Sequence, residues 1–405
     1  MQGEMVDPVN PDDSDALPPK ENGALEEPPE PFDFSSSYTD NFPKILKGLN
    51  ISLAVTSYQS QRLFFIRTDG ESIDTNFKHF ARPMGIYADQ ERLTLGTLTQ
   101  VLEFKRNDSI LKKIKNGELD NTDKMTQKVL EKDPELARKI QEKRKEELDT
   151  VKSADALYLA RAALTTGMIN IHDIAWGDEG LWVVNSTFSC LATLSPNHSF
   201  VARWKPPFIT ELVPEDRCHL NGMAMKDGRP KYVTTFNKFN SRDSWVNQDQ
   251  HDGTLLDVDS GEMLLEGLIM PHSPRYYQGK VYVCNSGCGT ILQFDPATRE
   301  VLEIIKLPGF PRGLNFAGPL MFVGLSQTRP SETRQPLPIN KEYEKTVSGV
   351  WIFNLEDHTE VGHLQFSGDV AQIYDIAVIP QSIHPELLNT SDSLIRHTFD
   401  FQESL

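Results

Sequence analysis

The sequence predicts an all-β chain folded as a six-bladed β-propeller, with a disordered N-terminal tail and a helical insertion in blade one. Three observations predict it. One strand type recurs, each copy ending at Asp, Asn, Pro or Gly: QRLFFIRTDG from Gln61, QVLEFKRNDS from Gln100, SCLATLSPNH from Ser189, GTLLDVDSGE from Gly253, GTILQFDPAT from Gly289 and GVWIFNLEDH from Gly349. A second type stands just upstream of each copy, starting at Leu53, Leu93, Leu181, Tyr232, Val281 and Met321. A third lies upstream again, at Arg82, His172, His219, His272 and Phe310, and its last copy, YDIAVIP from Tyr374, stands alone near the C-terminus. Self-similar strand sets of this kind are the signature of a repeat architecture.

The two incomplete sets complement each other. The strands from Leu53 and Gln61 have no first strand before them, and the strand from Tyr374 has no second or third after it. A closing blade built from both chain ends leaves no open sheet edge, which is how a propeller closes.

Along the chain, residues 1–35 are rich in Pro, Asp and Glu and poor in β-branched and aromatic residues. Such a segment cannot offset its ordering entropy by burial and is expected to be disordered. The propeller is expected over 51–388, followed by a C-terminal tail over 389–405. Within blade one, residues 105–152 are charged, with apolar positions at helical spacing: Ile110 and Ile114, Met125 and Val129, Leu136 and Ile140. This predicts helices inserted after the third strand, with the strand DALYLARAAL from Asp155 resuming the blade. The insertion reads either as a solvated appendage or as a site for a protein partner.

Composition narrows the function. The chain has 405 residues, is 38% apolar, and contains no run of about 20 apolar residues such as a spanning helix needs. The N-terminus has no apolar segment of the secretory type. A formal net charge of −17 argues against nucleic acid and anionic membranes as general partners. The four cysteines, Cys190, Cys218, Cys284 and Cys288, are too sparse for a disulfide framework, so a reducing cytoplasm is the expected location. Cys284 and Cys288 lack C-x-x-C spacing and read as ordinary strand-end thiols. No nucleophile elbow, P-loop or dinucleotide fingerprint occurs.

In a propeller the inner strands start at one face of the central channel, and the loops between second and third strands share that face. Arg82, His172, His219, His272, Phe310 and Tyr374 are therefore placed at the mouth. Asp173, Asn221, Arg275, Arg312 and Asp375 follow just inside, and Asn185, Ser186, Asn285, Ser286 and Ser326 end the second strands. Three consecutive blades share a histidine column in a chain with 10 histidines. Converging imidazoles are usual ligands of a divalent transition metal, zinc first and iron or copper next, so His172, His219 and His272 are candidate metal ligands. Asp173 and Asp375, in matching IHDIA and IYDIA segments, would orient imidazoles from behind. The other reading has the histidines bonded to neighbouring loops, holding the channel closed. Arg275 and Arg312 are candidate catalytic groups with Asp173, while Arg82, Arg217, Asn185, Asn221 and Asn285 are candidate substrate contacts. Guanidinium groups at the mouth of an acidic protein suggest a carboxylate or phosphate ligand. Equally, these arginines could form a structural network with Asp173, Glu215, Asp216 and Asp375. The loop Arg203–Arg217 carries Arg203, Lys205 and Arg217 towards His219, and the loops 237–252 and 327–348 are candidate walls or lids.

Several motifs resemble those of a widespread family of hypothetical proteins without an established activity. They are IHDIAW from Ile171, NSTFSCLATL from Asn185, RWKPPFI from Arg203, PEDRCHLNG from Pro214, PHSPR from Pro271, LPGFPRGL from Leu307 and FVGLS from Phe322. The resemblance spans about Ile51 to Leu388 and implies a propeller fold without naming a reaction. The charged helical insertion departs from the shorter members. By architecture alone, three channel histidines in a six-bladed propeller are also similar to peptidylglycine amidating lyase, a zinc enzyme. That analogy would give the ligand role to His172, His219 and His272 and nothing more.

Two functions remain. One is a metal-dependent lyase, hydrolase or oxygenase acting on a small anionic or peptide-like substrate at the mouth. The other is a non-catalytic propeller that binds a ligand or peptide, or scaffolds a protein complex.

Overall fold

A computed structural model describes residues 32–118, 132–247, 252–329 and 336–401. The expected tail up to residue 31, the middle of the insertion with Met125 and Val129, and the tips of the two long loops lie outside the described residues. The architecture is the six-bladed propeller that the repeats predict.

Each blade is an antiparallel meander of four strands. Blade one runs through Ile86–Ala88, Arg92–Gly96, Gln100–Arg106 and Ala156–Thr165. Blade two comprises Ile171–Gly177, Gly180–Asn185, Cys190–Ser195 and His198–Trp204. Blade three is Leu220–Lys226, Arg229–Thr235, Gly253–Asp257 and Met263–Leu268. Blade four is Pro271–Tyr277, Lys280–Asn285, Thr290–Phe294 and Val301–Lys306. Blade five is Phe310–Ala317, Leu320–Ser326, Ser348–Asn354 and Glu360–Phe366. Blade six joins the chain ends as expected: Asp375–Pro380 is its inner strand, and Ile51–Ser57, Arg62–Thr68 and Ile73–His79 complete it. Ala54 stands opposite Ala377 in this seam.

Both ends reach beyond the closing blade. Ser36–Tyr38 adds an antiparallel fifth strand to blade five, with Ser37 opposite Gln365. Pro385–Leu388 adds a parallel fifth strand to blade one, with Leu387 opposite Tyr158. Helix α1 (Phe42–Leu49) follows the first of these and buries Phe42 and Leu46 against blades five and six. The packed chain also starts inside the stretch expected to be disordered, because Phe34 stacks on Phe77 at 4.3 Å and meets Phe64 edge-on at 5.6 Å. Two rings in an acidic, Pro-rich stretch are enough to anchor residues 32–35.

Glu386 fixes the C-terminal strand. Its carboxylate is fully buried, 3.1 Å from Arg67, 2.9 Å from Lys78 and 2.5 Å from the Asn76 amide. All three partners sit on blade six, so one side chain staples the seam blade to blade one.

The apolar core is distributed between neighbouring blades. Phe65, Leu93 and Tyr158 fill the gap between blades six and one, Val183 and Ile171 that between one and two, and Leu220 and Val233 that between two and three. Val281 and Leu255 pack blade three on four, Leu314 and Ile291 blade four on five, and Phe322 and Ile376 blade five on six. Alternation along each strand supplies both sides of every gap.

The insertion leaves blade one after its third strand and returns to the fourth, as expected. Helix α2 (Asp108–Lys115) is capped by Asn107, which accepts from the Ile110 amide at 2.9 Å, and α3 (Pro134–Ser153) by Asp133, which accepts from Leu136 at 3.0 Å. Ile110, Leu111 and Ile114 pack with Val151, Leu157, Leu159, Leu388 and Leu394. The insertion is thus seated on the outer strand of blade one. The Arg106 amide bonds to the Glu91 carbonyl, in the turn at the far end of the inner strand, which puts the insertion on the face opposite the histidines.

Candidate functional site

The inner strands alternate. Even-numbered blades send Asp173, Arg275 and Asp375 into the channel, while odd-numbered blades place Gly85, Gly222 and Gly313 at the matching height. A Cβ on Gly313 would stand 2.8 Å from the Ile376 amide, and one on Gly222 would stand 2.4 Å from Pro274. Gly313 also has φ of +85°, where an L side chain is strained. Glycine lets each odd strand press against the next even one.

Arg275 lies across the channel between the two aspartates. It grips Asp173 with two nitrogens, at 2.7 and 3.2 Å, and reaches Asp375 at 3.5 Å. It also donates to the Leu314 carbonyl at 3.1 Å and the Met223 carbonyl at 3.2 Å. Each aspartate ties to the next blade as well: Asp173 accepts from the Met223 amide and Asp375 from the Ile86 amide. Burial pushes Asp375 upward and the charge of Asp173 adds to this, against the pull of Arg275. Arg275 and Asp173, expected to be catalytic groups, therefore form the network that locks blades two, four and six together.

Hydroxyls make a second set of inter-blade links at the mouth. Ser186 donates to the Leu220 carbonyl at 2.5 Å, Ser286 to Pro311 at 2.6 Å, Ser326 to Ile373 at 2.8 Å and Thr56 to Met84 at 2.7 Å. Each runs from a second strand's end to the next blade's inner strand. Asn185 and Asn285, expected to touch substrate, bind backbone instead: Asn185 closes its own turn by accepting from the Phe188 amide at 3.0 Å, and Asn285 accepts at 2.7 Å from the amide of Ile269, in the link that enters blade four. Arg217 is likewise turned aside, bonded to Glu215 of its own loop at 2.8 Å and to Asn240 of the loop 237–252 at 2.9 Å.

The three column histidines do line the mouth, and all are buried. They form a row of packed rings. His172 meets His219 edge-on at 4.6 Å; His219 lies against Phe236 at 4.4 Å and Trp245 at 4.0 Å; Phe236 meets His272 at 5.2 Å; His272 meets Phe310 at 5.4 Å. Phe236 is therefore a shared neighbour of two of the expected ligands. Among the described residues, no group of three or more His, Cys, Asp or Glu side chains is placed to hold a metal ion. The residues present do not fit the expected zinc, iron or copper site.

The hydrogen bonds assign the imidazoles different states. The Asn221 amide donates to His172 Nδ1 at 3.0 Å, which leaves the proton on Nε2. His272 Nδ1 lies 2.9 Å from the Met270 carbonyl, which can only accept, so the proton is on Nδ1 and the lone pair on Nε2. His219 Nδ1 donates to Asp216 at 2.7 Å. Burial holds His172 and His272 well below the ordinary imidazole range; next in weight is His219 for His172 and Arg312 for His272.

Arg312 is the outlier among the arginines. It is 7% exposed, its Nε is buried without a hydrogen-bond partner, and among the described residues no carboxylate pairs with it. Its guanidinium sits 3.9 Å from the Tyr374 ring and 5.5 Å from that of Tyr58. Arg329 packs on Tyr58 as well, at 5.1 Å, and donates to its hydroxyl. Half-buried Arg82 lies near enough to His172 to disfavour its charging. Arg82, His219 and Ser273 hold φ of 47°, 46° and 46°, sparse for residues with a side chain, so backbone strain gathers at this mouth. Tyr58, Phe236, Trp245 and Arg329 were not singled out from the sequence. They belong to second-strand ends or long loops outside the repeat column, where periodicity carries no signal.

A family model for a domain of unknown function, DUF4915, matches residues 40–130 and 126–388. The chain belongs to the DUF4915 family. The matched residues take in the propeller and its whole insertion. No curated protein matches the chain. Among solved structures, a chain of the nidogen/laminin complex has 9% identity and a TM-score of 0.48, covering 82% of this chain and 99% of its own. A protein described as TolB from Agrobacterium tumefaciens has 12% identity and a TM-score of 0.40, covering 82% of this chain and 98% of its own. Neither likeness bears on the function of this DUF4915 protein. Among the described residues no helix is long and apolar enough to cross a membrane.

Proposed function

We propose that the channel mouth binds a small anionic molecule, or the anionic end of a peptide, through Arg312. The observation that carries this reading is a buried guanidinium that has no counter-charge among the described residues. An unpaired buried charge costs several kcal/mol, and a carboxylate or phosphate that supplies the missing partner recovers that cost as affinity. The aromatic faces of Tyr374 and Tyr58 hold the guanidinium in place without neutralising it. Calorimetric titration with carboxylate and phosphate compounds tests the reading. Arg312→Gln is expected to weaken binding by roughly 10- to 100-fold, the worth of a charged hydrogen-bonded contact. Equal affinity in wild type and variant would refute it.

A second observation favours an enzyme over a passive receptor. His219 Nδ1 lies 2.7 Å from the buried carboxylate of Asp216, which fixes the orientation of the ring at the mouth. An imidazole oriented in this way is equipped as a general base, with Asp216 as its positioning residue. This enzyme reading needs no metal step. The four cysteines are unpaired thiols, three of them buried, which supports a reducing compartment such as the cytoplasm.

A further inference from the structure

Outside the ring, the insertion borders a cavity. The outer strand of blade six, the strand Pro385–Leu388 and α3 line a space of about 520 Å3, within the range of small-molecule sites. Val151 is fully buried against Leu157 and Leu388, which anchors this face of α3 and fixes Glu147, one helical turn before it, on the cavity wall. Most charges on the walls are already satisfied. Glu386 has Arg67 and Lys78, and Asp392 accepts from the Asn389 amide at 2.7 Å, with Lys78 at 3.7 Å. Two charged groups are only half satisfied. Arg62 spends Nη1 on the carbonyls of Ser60 and Gln61, both at 3.2 Å, and its Nε is buried with no hydrogen-bond partner among the described residues. Glu147 spends Oε2 on the hydroxyl of Ser393 and on its amide at 3.0 Å, and its Oε1 is buried with no such partner either. One cavity is therefore lined by an unmatched donor of a cation and an unmatched acceptor of an anion.

We infer that this cavity binds a small zwitterion of the amino-acid kind, its carboxylate on Arg62 Nε and its ammonium on Glu147 Oε1. The opposite signs select the ligand. A simple anion leaves Glu147 unmatched and a simple cation leaves Arg62 unmatched, and each buried polar atom without a partner costs about 1–3 kcal/mol. A zwitterion matches both with charge-assisted hydrogen bonds. Phe77 and Leu388 add apolar wall for an aliphatic body. The site shares no residue with the channel mouth and does not depend on the anion reading there. It gives the insertion a ligand-binding role, because α3 carries the acceptor.

The probes are L-leucine, γ-aminobutyrate and ε-aminocaproate, which differ in the distance between their charges, with hexanoate and hexylamine as singly charged counterparts. The full chain is titrated calorimetrically with each. So is Arg312→Gln, in which an anion held at the channel mouth no longer contributes. In both proteins one or more of the zwitterions is expected to bind at least about tenfold more tightly than hexanoate and hexylamine. That zwitterion is also expected to raise the melting temperature, because it joins blade six to the insertion. Glu147→Gln keeps an acceptor for Ser393 and is expected to weaken its binding by roughly 10- to 100-fold, as is Arg62→Gln. The comparison of probes on the wild-type chain stands even if a variant folds poorly. Binding by none of the three zwitterions, affinity for hexanoate or hexylamine equal to theirs, or zwitterion binding untouched by Glu147→Gln overturns the inference and leaves the anion reading at the mouth intact. Zwitterion binding that Arg312→Gln removes also overturns it, and assigns the ligand to the mouth.

Discussion

Buried side chains at the mouth divide into those that are satisfied and those that are poised. Arg275 and Arg312 occupy neighbouring positions in consecutive blades, yet one has two carboxylates and several carbonyls while the other, among the described residues, meets aromatic faces and no carboxylate. The sequence shows both as arginines of one repeat and cannot separate them, because the separation depends on which blade faces which across the channel. The histidine column was legible as a column; the ring that comes between two of its members, Phe236, was not, since it ends a second strand in another part of the repeat. A pH prediction belongs at this scale. His172 and His272 have lowered pKa in the folded chain, so their contribution to stability is complete above about pH 6.5 and is lost as pH falls below it, when only the unfolded chain takes up the protons. Asp375, pushed up to about 7, acts in the opposite sense, so wild type is compared with a variant. Melting curves of His272→Gln are expected to show less acid destabilisation than wild type below that pH; identical slopes would remove the buried neutral imidazole from the account. Gly313→Ala is expected to cost about 2 kcal/mol or more in denaturant titrations, from strain at positive φ together with backbone contact.

The three strand types that carry the repeat were found in the sequence, while the outer fourth strand was read only in blade one, from Asp155, and those of the other blades were missed. Ser36–Tyr38 and Pro385–Leu388 were missed too, being three and four residues long and too short for a period to show. Their pairing is set by the exposed outer edges of blades five and one, information carried by the partner strands. The insertion was visible as helical spacing, but its seating was not, because the apolar positions that receive it, Leu157, Leu159, Leu388 and Leu394, come from two distant parts of the chain. Replacing 110–150 with a short Gly-Ser bridge is therefore expected to lower stability by uncovering those leucines, while anion binding at the opposite face persists. Loss of anion binding in a variant that still melts cooperatively would contradict the placement. The C-terminal strand gives a sharper test. Glu386→Gln leaves buried Arg67 and half-buried Lys78 short of their shared carboxylate and is expected to cost about 3 kcal/mol in chemical denaturation. A cost below about 1 kcal/mol would show that Asp74 and Asp392 carry those cations unaided.

At the scale of the whole molecule, the ring is one cooperative object because every inter-blade gap needs both of its neighbours. Removing residues from Tyr374 onward takes the inner strand from blade six and Glu386 from its edge, and exposes two sheet edges. Such a chain is expected to lose its sharp thermal transition; a truncated protein that melts like the full one would refute this closure. The seam also orders events in time. Residues Ile51–His79 leave the ribosome about 300 residues before the strand that completes their sheet, Asp375–Pro380. At the usual pace of synthesis that is a wait of tens of seconds, in which blade six stands with a bare inner edge while its neighbours fold beside it. The edge facing the future channel, Ile51–Ser57, is also the one without charged residues. Nascent chains of this protein are thus most open to chaperones, and to pairing with one another, in the interval before Asp375–Pro380 emerges.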